Sequence, residues 1–458
     1  MSVKSSLSRQ FGTQFDTTFD VLKSNSLYDK AGAIPRLDFN FAKTKSLLDS
    51  RSTQNLITFT RASTATYVDS DRLIKTASTN VPRFDHNPST GESLGLLVEE
   101  ARTNFYGDSS SIVTEINAIN TNLTPSSNTV IAPDGTQSAD QLVETVATGP
   151  HRHLSGAPIS VVAGQSWTIS AFIKPIPGSA SDRYPGLRIS GGTSAFTSYW
   201  VTFDLSTKQT YTNSPAIWTA SGIVDYPNGW KRIYAVGVVQ STTASATYPF
   251  VFYSNKTFNN VTSGDNYTGD GVSGFYIWGA QLETGSFPTS YIPTTSATVT
   301  RSADVARITG TNFSSWYRNS SSTFAIRGRT ISSSSYNTWG ILAVSIEGIE
   351  ADNNYRMRVS GTQFTAKRFD NGVNYSFNLP GSVTAGSIYN YSVGYDDTGH
   401  AASSPSGFTS TTYPGLPFQN PTTLKFVPDL YGCSHVISRL TYWPQRLTNT
   451  QLQALTAS

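Results

Sequence analysis

An all-β protein built from tandem β-sandwich, jelly-roll-like domains is what this sequence predicts, and three observations carry the prediction. Charged residues make up only 14% of the 458 positions, and 35 Gly and 22 Pro interrupt the chain often. That balance disfavours helices, which draw on Ala, Leu, Glu and Lys. The 24 Phe, 23 Tyr and 8 Trp can bury large areas, which argues against disorder. Apolar and polar residues also alternate with period two in short runs bounded by Gly, Pro, Asn and Asp, the pattern of half-buried strands.

Taken in order, residues 1–35 are polar apart from Phe11, Phe15, Phe19 and Leu22, whose spacing would line one face of a short helix. Two readings fit this stripe: a cover for the next domain, or an arm for attachment and assembly that docks into another subunit. From Arg36 the period changes to two through Leu37, Phe39 and Phe41. Short strands are expected at 56–60, 65–68, 72–75 and 93–98, within a segment 36–104 too short for a comfortable sandwich of its own. The first large unit is expected over 105–300. Its strands fall at 141–146, 166–173, 186–189, 199–204, 222–224, 231–239, 248–253 and 274–281, with Trp167, Trp200, Trp218, Trp230 and Trp278 available to its core. Residues 301–458 repeat the style, with strands at 323–331, 340–346, 355–359, 362–368, 388–395, 423–426 and 437–443. The tail 447–455 reads as a helix, with Thr448 and Gln451 spaced for a capping box.

The stretch Gly274–Pro293, GFYIWGAQLETGSFPTSYIP, reads as the closing strand of the first unit and its exit linker. Phe275, Ile277 and Gly279 are expected on one face, and Tyr276, Trp278 and Ala280 on the other. Gly285, Pro288 and Pro293 end the strand and hold the exit segment extended.

Bulk properties narrow the function. The formal charge of +3, from 33 basic and 30 acidic residues well mixed, gives no concentrated basic face, so no nucleic-acid partner is expected. The single cysteine, Cys433, cannot form an intrachain disulfide, which suits folding in a reducing cytosol. The N-terminus lacks the apolar core of a signal peptide, and no apolar run approaches the roughly 20 residues of a membrane span. A chain made in the cytoplasm, without membrane insertion, is expected.

Catalytic motifs are few and incomplete. Gly91–Gly95 matches G-x-S-x-G around Ser93, but a nucleophile elbow needs a strand before it and a helix after it. Here a turn precedes and an apolar strand follows. His151 and His153 alternate on one strand, and Cys433 and His435 share that spacing, yet neither pair brings the further ligands a metal needs. Asp265 and Asp270 lie in SGDNYTGDGVSG, where Asx-turns account for them better than a calcium loop. The carboxylate pairs Glu99–Glu100 and Asp396–Asp397 are adjacent in sequence, so each pair splits across two strand faces. No enzyme activity, metal or cofactor is expected on these grounds. Binding is favoured instead, with Trp218 and Tyr226 in the first unit and Tyr336 and Trp339 in the second as candidate glycan contacts. Sugars stack C–H faces on aromatic rings and seek polar neighbours.

Three stretches then carry a resemblance. RLDFNFAKTKSLLDS (36–50), ITFTRASTATYVDSDRLIK (57–75) and PRFDHNPSTGESLGLLVEEARTN (82–104) resemble a module of tailed-bacteriophage virion proteins, those described as tail fibres, tail proteins or head-spike fibres. In that family the module precedes a jelly roll that often closes on a sequence similar to GFYIWGAQLETGSFPTSYIPT. The C-terminal VISRLTYWPQRLTNTQLQAL resembles laminin-G or concanavalin-like sandwiches more weakly. The resemblance implies four segments: an attachment arm (1–35), the virion β module (36–104), a jelly roll (105–300) and a laminin-G-like sandwich (301–458). It further implies a homotrimer displayed on the particle, joined to other virion proteins through its N-terminal region and facing host polysaccharide. A head fibre, a capsid decoration, a baseplate component without receptor binding, and a polysaccharide-degrading spike are the alternatives.

Overall fold

The computed structural model describes residues 26–189, 200–212, 214–246, 250–259, 265–331, 339–345, 354–360, 363–370, 373–379, 382, 386–412, 420–426 and 434–457. Strands dominate them, as the alternation predicts, and they gather into two compact units. The first is drawn from Met1–Thr58, Val305–Thr330 and Ser335–Ser458, the second from Phe59–Asp304 with Ile331–Ser334. The second unit is therefore an insertion in the chain of the first, and the division falls inside the stretch 36–104.

The second unit is a sandwich of two antiparallel six-stranded sheets. One runs in the order 218–225, 231–238, 166–175, 274–284, 137–144 and 123–131, and the other in the order 209–211, 201–204, 184–188, 250–255, 151–155 and 119–121. Inward-facing residues of both, among them Trp167, Ile169, Ile277, Leu187, Phe203 and Phe252, form one core. Each such side chain, fully buried, stabilises the fold by roughly 1.5–3 kcal/mol.

The strand Gly274–Thr284 is an inner strand, flanked by Ser166–Pro175 and Gln137–Glu144. Its two faces differ from the expected simple alternation. Phe275 and Ile277 enter the inter-sheet core, but so do Ala280 and Leu282, so the inward parity changes from odd to even. The change is a bulge opposite Ser170–Phe172, made possible by Gly279 at φ +64. A Cβ there would lie 2.7 Å from the Phe172 ring, so only glycine fits. Trp278, on the outer face, packs with Phe172, Trp230 and Tyr291 in a second buried cluster.

The segment read from sequence as an exit linker is largely buried. Thr289, Tyr291, Ile292 and Thr294 are buried. Their polar atoms are satisfied internally: Thr289 N and Oγ1 donate to the Glu283 carboxylate at 2.9 and 2.7 Å, and Asn104 Nδ2 donates to the Ile292 carbonyl at 2.9 Å. Beside it lies a buried ion network. Arg83 donates to Glu99 at 2.8 Å and also pairs with Asp304, Arg61 reaches Asp304 at 3.0 Å, and Arg301 reaches Glu99 at 2.8 Å. Ser290 adds its N–H and hydroxyl to Glu99 at 2.8 and 2.6 Å. Burial alone would raise the Glu99 carboxyl, but Arg301, Arg83 and these Ser290 bonds hold it down to about 2. The network ties Arg61, Arg83 and Glu99 to Ser290, Arg301 and Asp304.

In the first unit, one sheet runs 407–412, 399–404, 388–396, 321–330 and 435–443, with Leu37–Phe39 paired on the last strand. The other runs 305–309, 423–425, 339–345, 354–360, 363–370 and 373–378. Phe364 against Tyr391 and Tyr355 against Tyr395, with ring centroids 3.5 and 4.8 Å apart, mark the packing between them. The outer face of the first sheet carries two helices, Ser26–Ala31 and Asn449–Thr456. The second begins with the expected capping box at Thr448 and Gln451. Leu452 and Leu455 from that helix join Ala31, Ala325 and Trp443 in a small core. Gln451 Nε2 donates to the Ala31 carbonyl at 2.6 Å, and Trp443 Nε1 donates to the Ala33 carbonyl at 2.9 Å, so both helices are fastened to the sheet.

Candidate functional site

The helix-bearing face of the first unit contains a cleft of about 320 Å³. Its walls are Leu27 and Lys30 of the N-terminal helix, Ile388 and Asn390, Pro405, and the Leu455–Ala457 end of the C-terminal helix. Alternation builds the floor: on strand Ser321–Thr330, Phe324 and Ile326 turn into the sandwich, while Ala325 and Arg327 turn towards the helices. Ala325 pairs with Thr441 and Arg327 with Arg439 across the ladder, which brings all four into the cleft. Its volume lies at the lower end of ordinary small-molecule sites, roughly 300–1,000 Å³.

Arg439 is held rigidly. Its Nε and Nη2 donate to the two Asp38 oxygens, each at 2.7 Å, and its guanidinium lies 5.8 Å from the Tyr28 ring centre. Tyr28 donates its hydroxyl to Asp38 at 2.7 Å, and burial together with that carboxylate pushes the phenol well above its ordinary range. Arg327 is different. It sits directly across from Arg439 on one side and Asn390 on the other. Like charges placed directly opposite repel, and Asp38 compensates only Arg439. Arg327 is exposed, and its guanidinium has no hydrogen bond or ion pair among the described residues. Lys30 donates to the Ala457 carbonyl at 2.7 Å. Among the described residues no carboxylate lines the cleft. The arrangement offers cations, amide groups and apolar patches to a small polar molecule, and no acid–base pair.

The residues singled out from sequence fall elsewhere. Trp218 is 3% exposed and belongs to the inter-sheet core, so it is no open platform for a sugar. Tyr226 is half-buried against Phe172 at 5.0 Å, edge to face, with burial lifting its phenol to about 12. Its ring is largely spent on that contact, although the turn it precedes contributes Asn228 to a recess of about 510 Å³ with Lys174 and Gln137. Tyr336, Phe11, Phe15, Phe19, Leu22 and Cys433 lie outside the described residues, as does the side chain of Trp339.

The catalytic and metal candidates are accounted for by local structure. Ser93 opens strand Ser93–Val98 rather than a helix. It pairs with His86 across the ladder, but Ser93 Oγ and His86 Nε2 both lack partners, so the two are not bonded to each other. His153 uses both ring nitrogens, on Asn120 Oδ1 at 2.9 Å and Ser155 Oγ at 3.0 Å, and burial lowers it to about 4. His151 stacks on Tyr267 at 4.3 Å. Asp265 accepts from the Lys256 N–H at 2.8 Å and also from that of Thr257; Asp270 accepts from the Val272 and Ser273 N–H groups at 2.9 and 2.7 Å. Glu99 is enclosed by the ion network, and Asp396 accepts from the Thr398 and Gly399 N–H groups at 2.9 and 3.2 Å in a turn. Among the described residues no group of three or more His, Cys, Asp and Glu is placed to hold an ion.

No protein-family model matches the chain, and no curated protein matches it. Solved structures with some likeness include domains LG4-5 of the mouse laminin alpha1 chain, at 7% identity and a TM-score of 0.23, covering 67% of this chain and 92% of that one. A tandem CBM22 domain from Paenibacillus barcinonensis gives 8% identity and a TM-score of 0.23, covering 75% and 98%. A SAP-like pentraxin from Limulus polyphemus gives 16% identity and a TM-score of 0.23, covering 29% and 67%. At these scores the overlays carry no argument about function, and the all-β sandwich architecture stands on the strand pairings themselves.

Proposed function

We propose that this chain is a surface protein of a tailed-phage particle, a fibre or spike adhesin that binds host-cell glycans without cleaving them. The cleft beside Arg327 is its glycan site. The observation that carries the binding role is the cleft, a concave surface lined by Arg327, Asn390 and exposed Ile388 on strands and by Lys30 on the N-terminal helix. Side chains held on strands keep their geometry better than those on loops. The phage setting is supported by the wording of 36–104 and 274–294, and with it come a homotrimer and attachment to other virion proteins through the N-terminal region. Three copies displaying one weak site each would act together, since linked sites raise the effective concentration of one another.

The purified full chain, labelled and applied to an array of bacterial capsular and lipopolysaccharide glycans, tests the reading. Binding to a restricted set of glycans, with inhibition of phage adsorption by the free protein, is expected. Binding to none of them, together with unaltered adsorption, would overturn the adhesin role and leave a structural component of head or baseplate.

A further inference from the structure

We infer that the cleft of the first unit selects an acidic sugar, a pyranose bearing a carboxylate, and that Arg327 holds that carboxylate. The sugar rests on the adhesin reading; the anion rests on the cleft alone.

Two observations point to the anion. Arg327 and Arg439 are direct cross-strand neighbours, an arrangement that repels unless a negative group intervenes. Asp38 meets Arg439 through both of its oxygens, while Arg327 has no counter-ion among the described residues and remains exposed at the cleft. Among the described residues the floor therefore presents a guanidinium without an acidic complement. Its planar fork suits a carboxylate held through two parallel hydrogen bonds, the same geometry Arg439 already makes with Asp38. A singly charged group suits Arg327, because the neighbouring Arg439 is already neutralised by Asp38.

The rest of a pyranose also finds its chemistry there. Ile388 is 59% exposed at the cleft wall and offers apolar surface to the C–H face of the ring. Asn390, the other cross-strand neighbour of Arg327, stands where a ring hydroxyl would lie. Asn390 Nδ2 donates to the Thr456 carbonyl at 3.3 Å, which fixes the amide against the end of the helix.

Calorimetric titration of the full chain tests this with two probes, a trisaccharide ending in glucuronate and its glucose-ended counterpart. The acidic probe is expected to bind at least about tenfold more tightly, the scale of one charged hydrogen-bonded contact. Arg327→Ala should erase that preference without lowering the melting temperature, because Arg327 has no internal partner to lose among the described residues and its repulsion with Arg439 is relieved. Arg327→Lys should restore part of it, and Ile388→Ser should weaken both probes equally. Equal affinity for the two probes, or a preference that survives in Arg327→Ala, would overturn the inference. So would binding of free acetate or sulfate as tight as that of the acidic trisaccharide, since the ring would then contribute nothing. If neutral glycans alone bind on the array, the acidic assignment falls and the adhesin reading stands; if no glycan binds at all, both fall.

Discussion

Glu99→Gln is the sharpest probe of how the second unit is held together. Glu99 is 1% exposed and accepts from Arg83, Arg301 and both donors of Ser290. A glutamine can keep the Ser290 N–H bond, but its amide nitrogen then faces two guanidinium groups, donor against donor. A carboxyl lowered from 4.5 to about 2 on folding contributes about 3 kcal/mol at neutral pH. Removing one partner of a buried ion pair costs about 3–5 kcal/mol. Because the folded value lies below the unfolded one, this contribution is fully present above pH 4.5 and is lost as the pH falls towards 2. Tryptophan fluorescence suits the assay, since Trp167, Trp200, Trp218, Trp230 and Trp278, five of the eight tryptophans, lie in this unit. Urea unfolding at pH 7 should show Glu99→Gln less stable by about 3 kcal/mol. Between about pH 4.5 and 2.5 the wild type should lose stability that the variant does not. A loss below about 0.5 kcal/mol at pH 7, the size of an ordinary surface substitution, would refute the reasoning, as would identical acid profiles.

Three further outcomes are expected. His153, neutral and buried with a folded value of about 4 against 6.5 when unfolded, makes the unfolded state the better proton acceptor. Stability should therefore fall by about 3 kcal/mol between pH 6.5 and 4, and His153→Gln should lack that slope in the same urea titrations. Trp218→Ala should cost about 3–5 kcal/mol of stability, measured by urea midpoint, while leaving glycan affinity unchanged, because Trp218 is core. Thr448→Ala removes the side-chain cap of the C-terminal helix and should cost about 1 kcal/mol, seen in the melting of the first unit.

Much of the fold was legible in the sequence, and the limits of that legibility have physical causes. The strands Ala65–Val68 and Ser93–Val98 were legible to the residue, because turn residues flank them sharply. The C-terminal helix was readable from its capping chemistry. Gly279 was not, since a bulge leaves no mark in the alternation except a glycine with several possible uses. The end of Gly274–Pro293 read as an exit linker because Gly285, Pro288 and Pro293 break the strand, whereas the hydroxyls of Thr289 and Ser290 are taken up by the Glu283 and Glu99 carboxylates. Likewise Leu37–Phe39 pairs with Tyr442, Thr441 and Leu440, a ladder between two distant parts of the chain that no local pattern encodes. The cleft was illegible for the same reason. Arg327 and Arg439 are unremarkable in their own strands and become a site only through register. Trp218 shows the converse error: polar sequence surrounds it, yet its ring turns inward.

Hydrogen–deuterium exchange of the full chain, with and without the glycan that binds best on the array, shows where on the chain that glycan sits. Slowed exchange is expected in peptides covering 321–330, 386–392 and 435–443, abolished by Arg327→Ala. Slowed exchange confined to the second unit, for example around 226–231, or protection at the cleft that persists in Arg327→Ala, would contradict it.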